Sequence, residues 1–465
     1  MKPLRLSELA RMTNGRLQGD DVTVQHLVTD TRSLHDAGSA LFVALKGERF
    51  DGHDHVGAAA QAGVAAALVS RACDAALPQV IVADTEHALA DIARALQQAR
   101  TTVVVGITGS NGKTSVKALL QAILQHDCAQ RGGIAYANPG NRNNQIGMPL
   151  AVIDAPEDAR FAIYEMGAGQ PGDIAYLTAV ARPQVSIVNN IAPAHLERMG
   201  SLLGVADTKA AIYDALPPDG VAVINADDAF APYFAERAHG RRLLRFGLET
   251  TAEITARDVV VGGDGSRFVL VTPEGEAAVS LSMQGRHNVR NALAAASIAL
   301  GLGVPLATIA EGLDAAQPVA GRLIVHRLDS GAVLVDDSYN ANPGSLAAAI
   351  ETLAESSRGG EGWLVLGDMR EIGVDGEAMH AEAGRRAKAA GVRRLYALGP
   401  LSAAAAEAFG EGGRTFASHA ELAAALGEEL REGIRVLVKG SRGSAMDRIV
   451  TALLPTSAAA GQGTH

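Results

Sequence analysis

The sequence predicts an α/β protein of three consecutive domains: a small α/β unit at residues 1–100, a central parallel-sheet unit at 101–318 and a second parallel α/β unit at 319–456. Three observations carry that reading. The chain has 465 residues, room for about two to four domains of roughly 100–200 residues each. The run TTVVVGI after Thr101 is continuously apolar and β-branched, as in a parallel strand buried on both faces. Further apolar runs then alternate with helical segments to the end of the third unit, the pattern of a doubly wound sheet.

In the first unit VTVQHLV, ALFVALKG and PQVIVAD read as strands, VGAAAQAGVAAALVS as a helix throughout, and HALADIARALQQAR as a second helix. In the central unit TTVVVGI enters a glycine-rich turn and then a helix. There Val116, Leu119, Leu120, Ile123 and Leu124 recur at helical spacing and form one apolar stripe. FAIYE, QVSIVNN and GVAVINADD continue the sheet. The stretch NALAAASIALGLGVPLATIA is uncharged over about a bilayer's length, but its central Gly-Leu-Gly-Val-Pro break reads as a buried helix, a turn and a second helix. In the third unit AVLVDD, GWLVLGD, RRLYALG and IRVLVKG are strands, with SLAAAIETLA and HAELAAALGEEL as helices between them. The polar end at 457–465 is expected to be disordered.

Composition narrows the function classes. With 41 Lys+Arg against 51 Asp+Glu the net charge is -10, so no general nucleic-acid partner is expected and any bound anion must be held by local geometry. Cys73 and Cys128 form neither a disulfide framework nor a metal motif, which suits a reducing, cytoplasmic compartment. The first residues carry scattered charge and no secretion signal. No membrane insertion is expected, and a monomer is.

The strongest chemical signal is GITGSNGKTS, set between a buried strand and an amphipathic helix. Thr108, Gly109, Ser110, Asn111 and Gly112 would wrap a phosphate, aided by the free N–H groups and dipole of the helix N-terminus. Lys113 would reach the β- and γ-phosphates, and the Thr114 hydroxyl would ligate Mg²⁺. The loop is a variant of the full GxxxxGK[ST] pattern, because Ile107 stands five residues before Gly112.

Glu165 ends the strand FAIYE and His195 follows the next strand, both at the edge where ligands of open α/β folds collect. A carboxylate there can hold Mg²⁺ opposite Thr114, or simply cap a turn. By composition Lys209 is a solvated helix lysine. Asn138, Asn141, Asn143 and Asn144 crowd one loop, as ligand contacts or as turn residues. NADD from Asn225 and GRHNVRN with His287, Asn288 and Asn291 suit an adenine edge, while Arg322, the stretch VDDSYNANP and KGSR at 439–442 offer charges across a cleft. A surface arginine and a turn are the plainer alternatives for Arg322 and VDDSYNANP.

Taken in order, TGSNGKT, GNRNNQIG, YEMGA, NIAPAHLERMGS, NADD, GRHNVRNALAA, PVAGR and DDSYNANP resemble the Mur ligase family over nearly the whole chain. Within it, DDSYNANP, VLGDMREIG and VLVKGSR are similar to the branch that adds D-Ala-D-Ala to UDP-MurNAc-tripeptide. The resemblance implies an N-terminal domain for the UDP-muramoyl end, a central P-loop ATPase-like domain and a C-terminal Rossmann-like domain. It further implies ATP as co-substrate and two Mg²⁺ sites. Thr114 and Glu165 would hold one metal, and His195 with a carbamylated Lys209 the other, although the family's KGE reads Lys209-Ala210-Ala211 here. Lys113, His195 and Lys209 take the catalytic roles, and Asn225, His287, Asn288, Asn291, Arg322 and Asp337 the nucleotide contacts. Substrate contacts fall on Asp30, Thr31, Arg32, Lys46, Arg49 and Asp51, on Asn138, Asn141, Asn143 and Asn144, and on Tyr339, Asn340 and Asn342. Competing readings are a different Mur step, a folylpolyglutamate synthetase-like ligase, or an ATP-dependent switch that makes no amide.

Overall fold

The computed structural model describes residues 1–33, 36–193 and 196–454. In the N-terminal unit a five-stranded sheet runs in the order Arg16–Gln18, Gln79–Ile81, Ala66–Val69, Ala40–Val43, His26–Val28. All its pairs are parallel except the antiparallel one between Arg16–Gln18 and Gln79–Ile81. Asp84 accepts a hydrogen bond from the His87 N–H at 2.8 Å and so starts the helix Thr85–Ala99, which leads into the central unit.

One expectation here is corrected. VGAAAQAGVAAALVS is not one helix but the helix Val56–Gln61 followed by the strand Ala66–Val69. Gly63, at φ +84°, closes the helix with paired bonds, Gly63 N–H to Ala60 and Val64 N–H to Ala59. Beyond it, Ala66 to Val69 are completely buried between parallel neighbours, so sheet packing outweighs the helical preference of alanine.

The central sheet has six strands, all parallel, in the order Arg242–Phe246, Val221–Asn225, Val185–Val188, Val103–Thr108, Ala159–Glu165, Ile134–Ala137. Val103–Thr108 lies where the chain, having built one side of the sheet, turns to build the other, so the loop after it opens at the switch point where α/β sheets bind ligands. Lys113–Arg131 is the helix that follows the loop, and its whole predicted stripe from Val116 to Leu124 is buried against the sheet. The apolar stretch after Asn291 is the end of the buried helix Arg286–Gly301, a turn and the helix Leu306–Ala315. No helix among the described residues is long and apolar enough to cross a membrane.

A three-stranded antiparallel sheet, Thr255–Gly262, Gly265–Thr272 and Gly275–Leu281, is an addition absent from the sequence reading. Its inward residues Phe268, Leu270, Val279 and Leu281 join the same core as the phosphate-loop helix. The C-terminal sheet runs Ile324–Arg327, Val333–Asp337, Ile434–Lys439, Glu361–Gly367, Arg394–Leu398, Gly413–Phe416, parallel except for the antiparallel edge strand Ile324–Arg327. The residues expected to be disordered at 457–465 lie outside the described residues.

Candidate active-site cleft

A cleft of about 950 Å³ lies between the central and C-terminal sheets, with the phosphate loop in its wall. Gly109 and Gly112 have φ of +146° and +78°, backbone that side chains rarely adopt. A Cβ on Gly112 would stand 2.5 Å from both Asn189 Nδ2 and Asn291 Oδ1. Behind the loop runs a relay of buried amides. Asn189 Nδ2 donates to Asn111 O at 2.9 Å and to Asn291 Oδ1 at 3.1 Å, Asn291 to Asn288 Oδ1 at 3.0 Å, and Asn288 to Gln284 O at 2.8 Å. Asn225 ties in by donating to Asn189 O, while Asn190 accepts from the Asn111 N–H. Thr108 is fully buried and gives its hydroxyl to Met166 O, and Ser110 exchanges bonds with Ala192. Lys113 folds over the loop, donating to Gly109 O at 2.7 Å; burial pushes its ammonium below the ordinary lysine range.

Beside the loop, Thr114 donates to Glu165 Oε2 at 2.9 Å and accepts from Arg322 at 2.8 Å, a contact that crosses from the C-terminal unit. Glu165 is only 4% exposed, and burial alone would raise its pKa. Lys117 and Lys113 more than offset that, with help from the Thr114 hydroxyl and Arg322, so it stays below the usual carboxylate range. Its other oxygen, Oε1, accepts from Asn143 Nδ2 at 3.1 Å. A hydroxyl next to one ionised carboxylate fits Mg²⁺, which keeps several waters and takes substrate phosphates as ligands. Among the described residues no three His, Cys, Asp or Glu side chains gather into a fuller cage.

Lys209 lines the same cleft, 2% exposed, and its ammonium makes no hydrogen bond among the described residues. Burial, with Lys113 nearby, lowers its pKa to about 7 against the opposing pull of Asp173. Its expected metal partner His195 lies outside the described residues.

The opposite wall belongs to the C-terminal unit. Asp337 and Lys439 pair at 2.5 Å, and Lys439 also donates to Asn340 O. Arg322 and Arg442 hold their guanidinium carbons 4.6 and 5.5 Å from the Tyr339 ring centroid. Asn342 caps the helix Pro343–Ser356 by accepting from Ser345 N–H, and reaches across the cleft to donate to Asn111 Oδ1 at 2.6 Å. His287, at the cleft's inner end, has its pKa lowered to about 4 by burial, Lys439 and Arg290, so it is a neutral group at neutral pH. Asp227 accepts from the N–H groups of Leu248, Glu249 and Thr250, and Asp228 from that of Ile191, so both brace the loops around the rim.

Comparison with protein families matches residues 23–98 to the Mur ligase family catalytic domain, 107–299 to the Mur ligase middle domain and 321–442 to the Mur ligase glutamate ligase domain. The chain belongs to the Mur ligase family. Among its relatives is the UDP-N-acetylmuramoyl-tripeptide–D-alanyl-D-alanine ligase of Escherichia coli K12, 42% identical, covering 97% of this chain and 99% of that one. The Bacillus subtilis protein of the same name is 34% identical over 97% of each. Among solved structures, MurF from Acinetobacter baumannii matches with a TM-score of 0.90 at 32% identity, covering 97% of this chain and 99% of that one. MurF ligase from Thermotoga maritima in complex with ADP has a TM-score of 0.81 at 27% identity, over 92% of this chain and 97% of that one. A folylpolyglutamate synthase from Mycobacterium tuberculosis, at 19% identity and a TM-score of 0.62 over 80% of this chain and 94% of that one, shares the fold alone.

In this Mur ligase the N-terminal candidates stand apart from the cleft, none of them lining it. Arg32 grips Asp30 through Nε and Nη, lowering the Asp30 pKa to about 2, with Thr31 on the short turn between them. Lys46 and Arg49 are exposed and form no ion pair among the described residues. Asp51 is committed locally: it accepts from Arg71, from His53 N–H and from His53 Nδ1 at 2.6 Å. Ser70 Oγ lies 3.1 Å from His53 Nε2, a spacing that resembles a hydrolase triad. That nitrogen has one lone pair, which accepts the Ser70 backbone N–H at 2.8 Å, so the cluster is an anchor for the 46–55 loop and not a base.

Of the asparagine loop, Asn141, Asn143 and Asn144 line the cleft, while Asn138 is buried and clips the Glu165 backbone by accepting from its N–H and donating to its C=O. Sequence reasoning overlooked Lys117, Asn189 and Asn190. Lys117 shows one legible sign, its position one helical turn beyond Lys113, on the same face; the two asparagines end the strand QVSIVNN, where switch-point residues collect.

Proposed function

We propose that this Mur ligase joins D-Ala-D-Ala to the terminal carboxylate of UDP-MurNAc-tripeptide at the expense of ATP. The observation that carries it is the whole-length match to ligases of that name, joined to a cleft whose phosphate loop on one wall faces a cationic wall on the other. The reaction belongs in the cytoplasm, where ATP is available and where free Cys73 and Cys128 stay reduced.

The amide forms in two transfers. The γ-phosphoryl group of ATP passes to a carboxylate oxygen of the tripeptide, releasing ADP and giving an acyl phosphate. The dipeptide amine then attacks the acyl carbon and phosphate leaves. The N–H groups of Gly112, Lys113 and Thr114 at the helix start orient the phosphates, and Lys113, moved off Gly109 O, neutralises charge on the phosphoryl group in flight. Mg²⁺, held by Thr114 and Glu165, supplies further charge neutralisation when bound. Asn111, Gly112 and Ser110 are held from behind by the amide relay, so the loop is set before substrate arrives. Asn225, His287, Asn288 and Asn291 form the inner end for the nucleotide base, with the last two acting through the relay. Arg322 and Asp337 close on the nucleotide from the C-terminal side and exclude water from the acyl phosphate. The tripeptide end meets Asn141, Asn143 and Asn144, the amine substrate Tyr339, Asn340 and Asn342, and the UDP-muramoyl end the surface of Asp30, Thr31, Arg32, Lys46, Arg49 and Asp51. Partly neutral Lys209 suits carbamylation, which would convert it with His195 to ligands for a second metal.

The test is phosphate release from Mg·ATP with the tripeptide substrate and D-Ala-D-Ala added singly and together. Turnover that requires both supports the reading. Turnover with neither, or none with both, rejects the substrate pair.

A further inference from the structure

Lys117 lies four residues beyond Lys113 on the phosphate-loop helix, so its side chain leaves the same face one turn further on. Its side chain is 8% exposed, and a buried ammonium needs its three protons satisfied. It finds three oxygens: Asn138 O at 2.9 Å, Gly140 O at 3.2 Å and Glu165 Oε2 at 3.3 Å. Two belong to the asparagine loop, whose Asn141, Asn143, Asn144 and Gln145 line the cleft, and the third is the oxygen that accepts the Thr114 hydroxyl. The same loop grips Glu165 at three more places, through Asn143 Nδ2 on Oε1 and Asn138 on the backbone N–H and C=O.

We propose that Lys117 is a positioning residue that locks the Glu165 carboxylate to the asparagine loop, so that metal site and substrate-facing loop are set as one unit. The proposal rests on the reading of Glu165 as the Mg²⁺ carboxylate. Lys117 bonds at once to two loop carbonyls and to the carboxylate. Without it, two loop carbonyls lose their donor and Glu165 keeps its hydrogen bonds but loses its nearest cation. The metal site then becomes less ordered and the loop, still tied by Asn138 and Asn143, is loosened.

The experiment compares Lys117→Met, Lys117→Gln, Lys117→Arg and Glu165→Gln with the wild-type full chain. Calorimetric binding of a non-hydrolysable ATP analogue across a Mg²⁺ titration gives the metal requirement, and amide hydrogen exchange of residues 138–147 without nucleotide gives loop order. Lys117→Met and Lys117→Gln are expected to raise the Mg²⁺ concentration for half-saturation by roughly 10–100-fold, as loss of an orienting partner does at metal sites. Exchange across the loop should speed up in both, and Lys117→Arg should recover part of each effect. If Glu165→Gln shifts the Mg²⁺ requirement but neither neutral Lys117 variant does, the proposal fails while the metal role of Glu165 stands. If Glu165→Gln leaves it unchanged, that role fails and the proposal with it. Faster loop exchange with an unaltered Mg²⁺ requirement would reduce Lys117 to a structural lysine and also overturn the proposal.

Discussion

Replacing Gly112 with alanine tests whether the phosphate loop is held in shape from behind. The residue sits at φ +78°, where a side chain costs about 1–2 kcal/mol. Its new Cβ would lie 2.5 Å from Asn189 Nδ2 and Asn291 Oδ1, two atoms that are themselves bonded at 3.1 Å. Ordinary contact distances are regained by parting that pair or by shifting the loop, and a buried amide left unsatisfied costs about 1–3 kcal/mol. The two contributions total about 2–5 kcal/mol. If the loop moves aside, the cost appears in nucleotide binding, as roughly a 30-fold to several-thousand-fold loss at 1.4 kcal/mol per tenfold. If the loop stays, it appears in stability, as a fall in Tm of about 4–20 °C for a domain of this size. Calorimetric titration with ATP and a thermal melt read the two routes together. A Gly112→Ala variant with wild-type ATP affinity and wild-type Tm would refute the claim that the asparagine relay shapes the loop.

Two further predictions follow from buried titratable groups. Lys209, whose pKa is about 7, should add ¹³C-labelled CO₂ to give a carbamate resonance absent from Lys209→Met, and activity should fall in CO₂-depleted buffer; no such resonance would leave a buried amine with no metal role. His287 has its pKa lowered from 6.5 to about 4, so between those values the unfolded chain binds more protons and stability declines as the pH is lowered through that window. Denaturant unfolding of His287→Asn should show a shallower loss of stability from pH 6.5 to 4 than wild type, and an identical slope would place the acid sensitivity elsewhere.

Much of the site is local in the chain and was therefore legible. The strand, glycine loop and helix around Lys113 lie within one short stretch, and burial of the stripe from Val116 to Leu124 follows from helical spacing alone. The helix-turn-helix after Asn291 was readable for the same reason, since Gly301 to Pro305 interrupts it locally. The run at 56–70 was misread because alanine is neutral evidence once a parallel sheet offers both its faces as cover. The antiparallel addition at 255–281 was missed although Phe268 and Leu270 alternate with more exposed residues.

What the sequence determined by itself was the three-unit α/β plan, the phosphate loop and the family, because these depend on order and spacing along the chain. Tertiary structure alone decided which polar side chains act on the cleft and which hold others in place. Asn291 reads like a ligand contact until its bond to Asn189, 102 residues away, shows that it backs the loop. Lys117 gains its role only where Asn138, Gly140 and Glu165 close around it. Thr114 meets Arg322 across 208 residues. The physical reason is that a polar group takes its role from the partner that satisfies it after burial, and burial brings together partners that the order of residues leaves far apart.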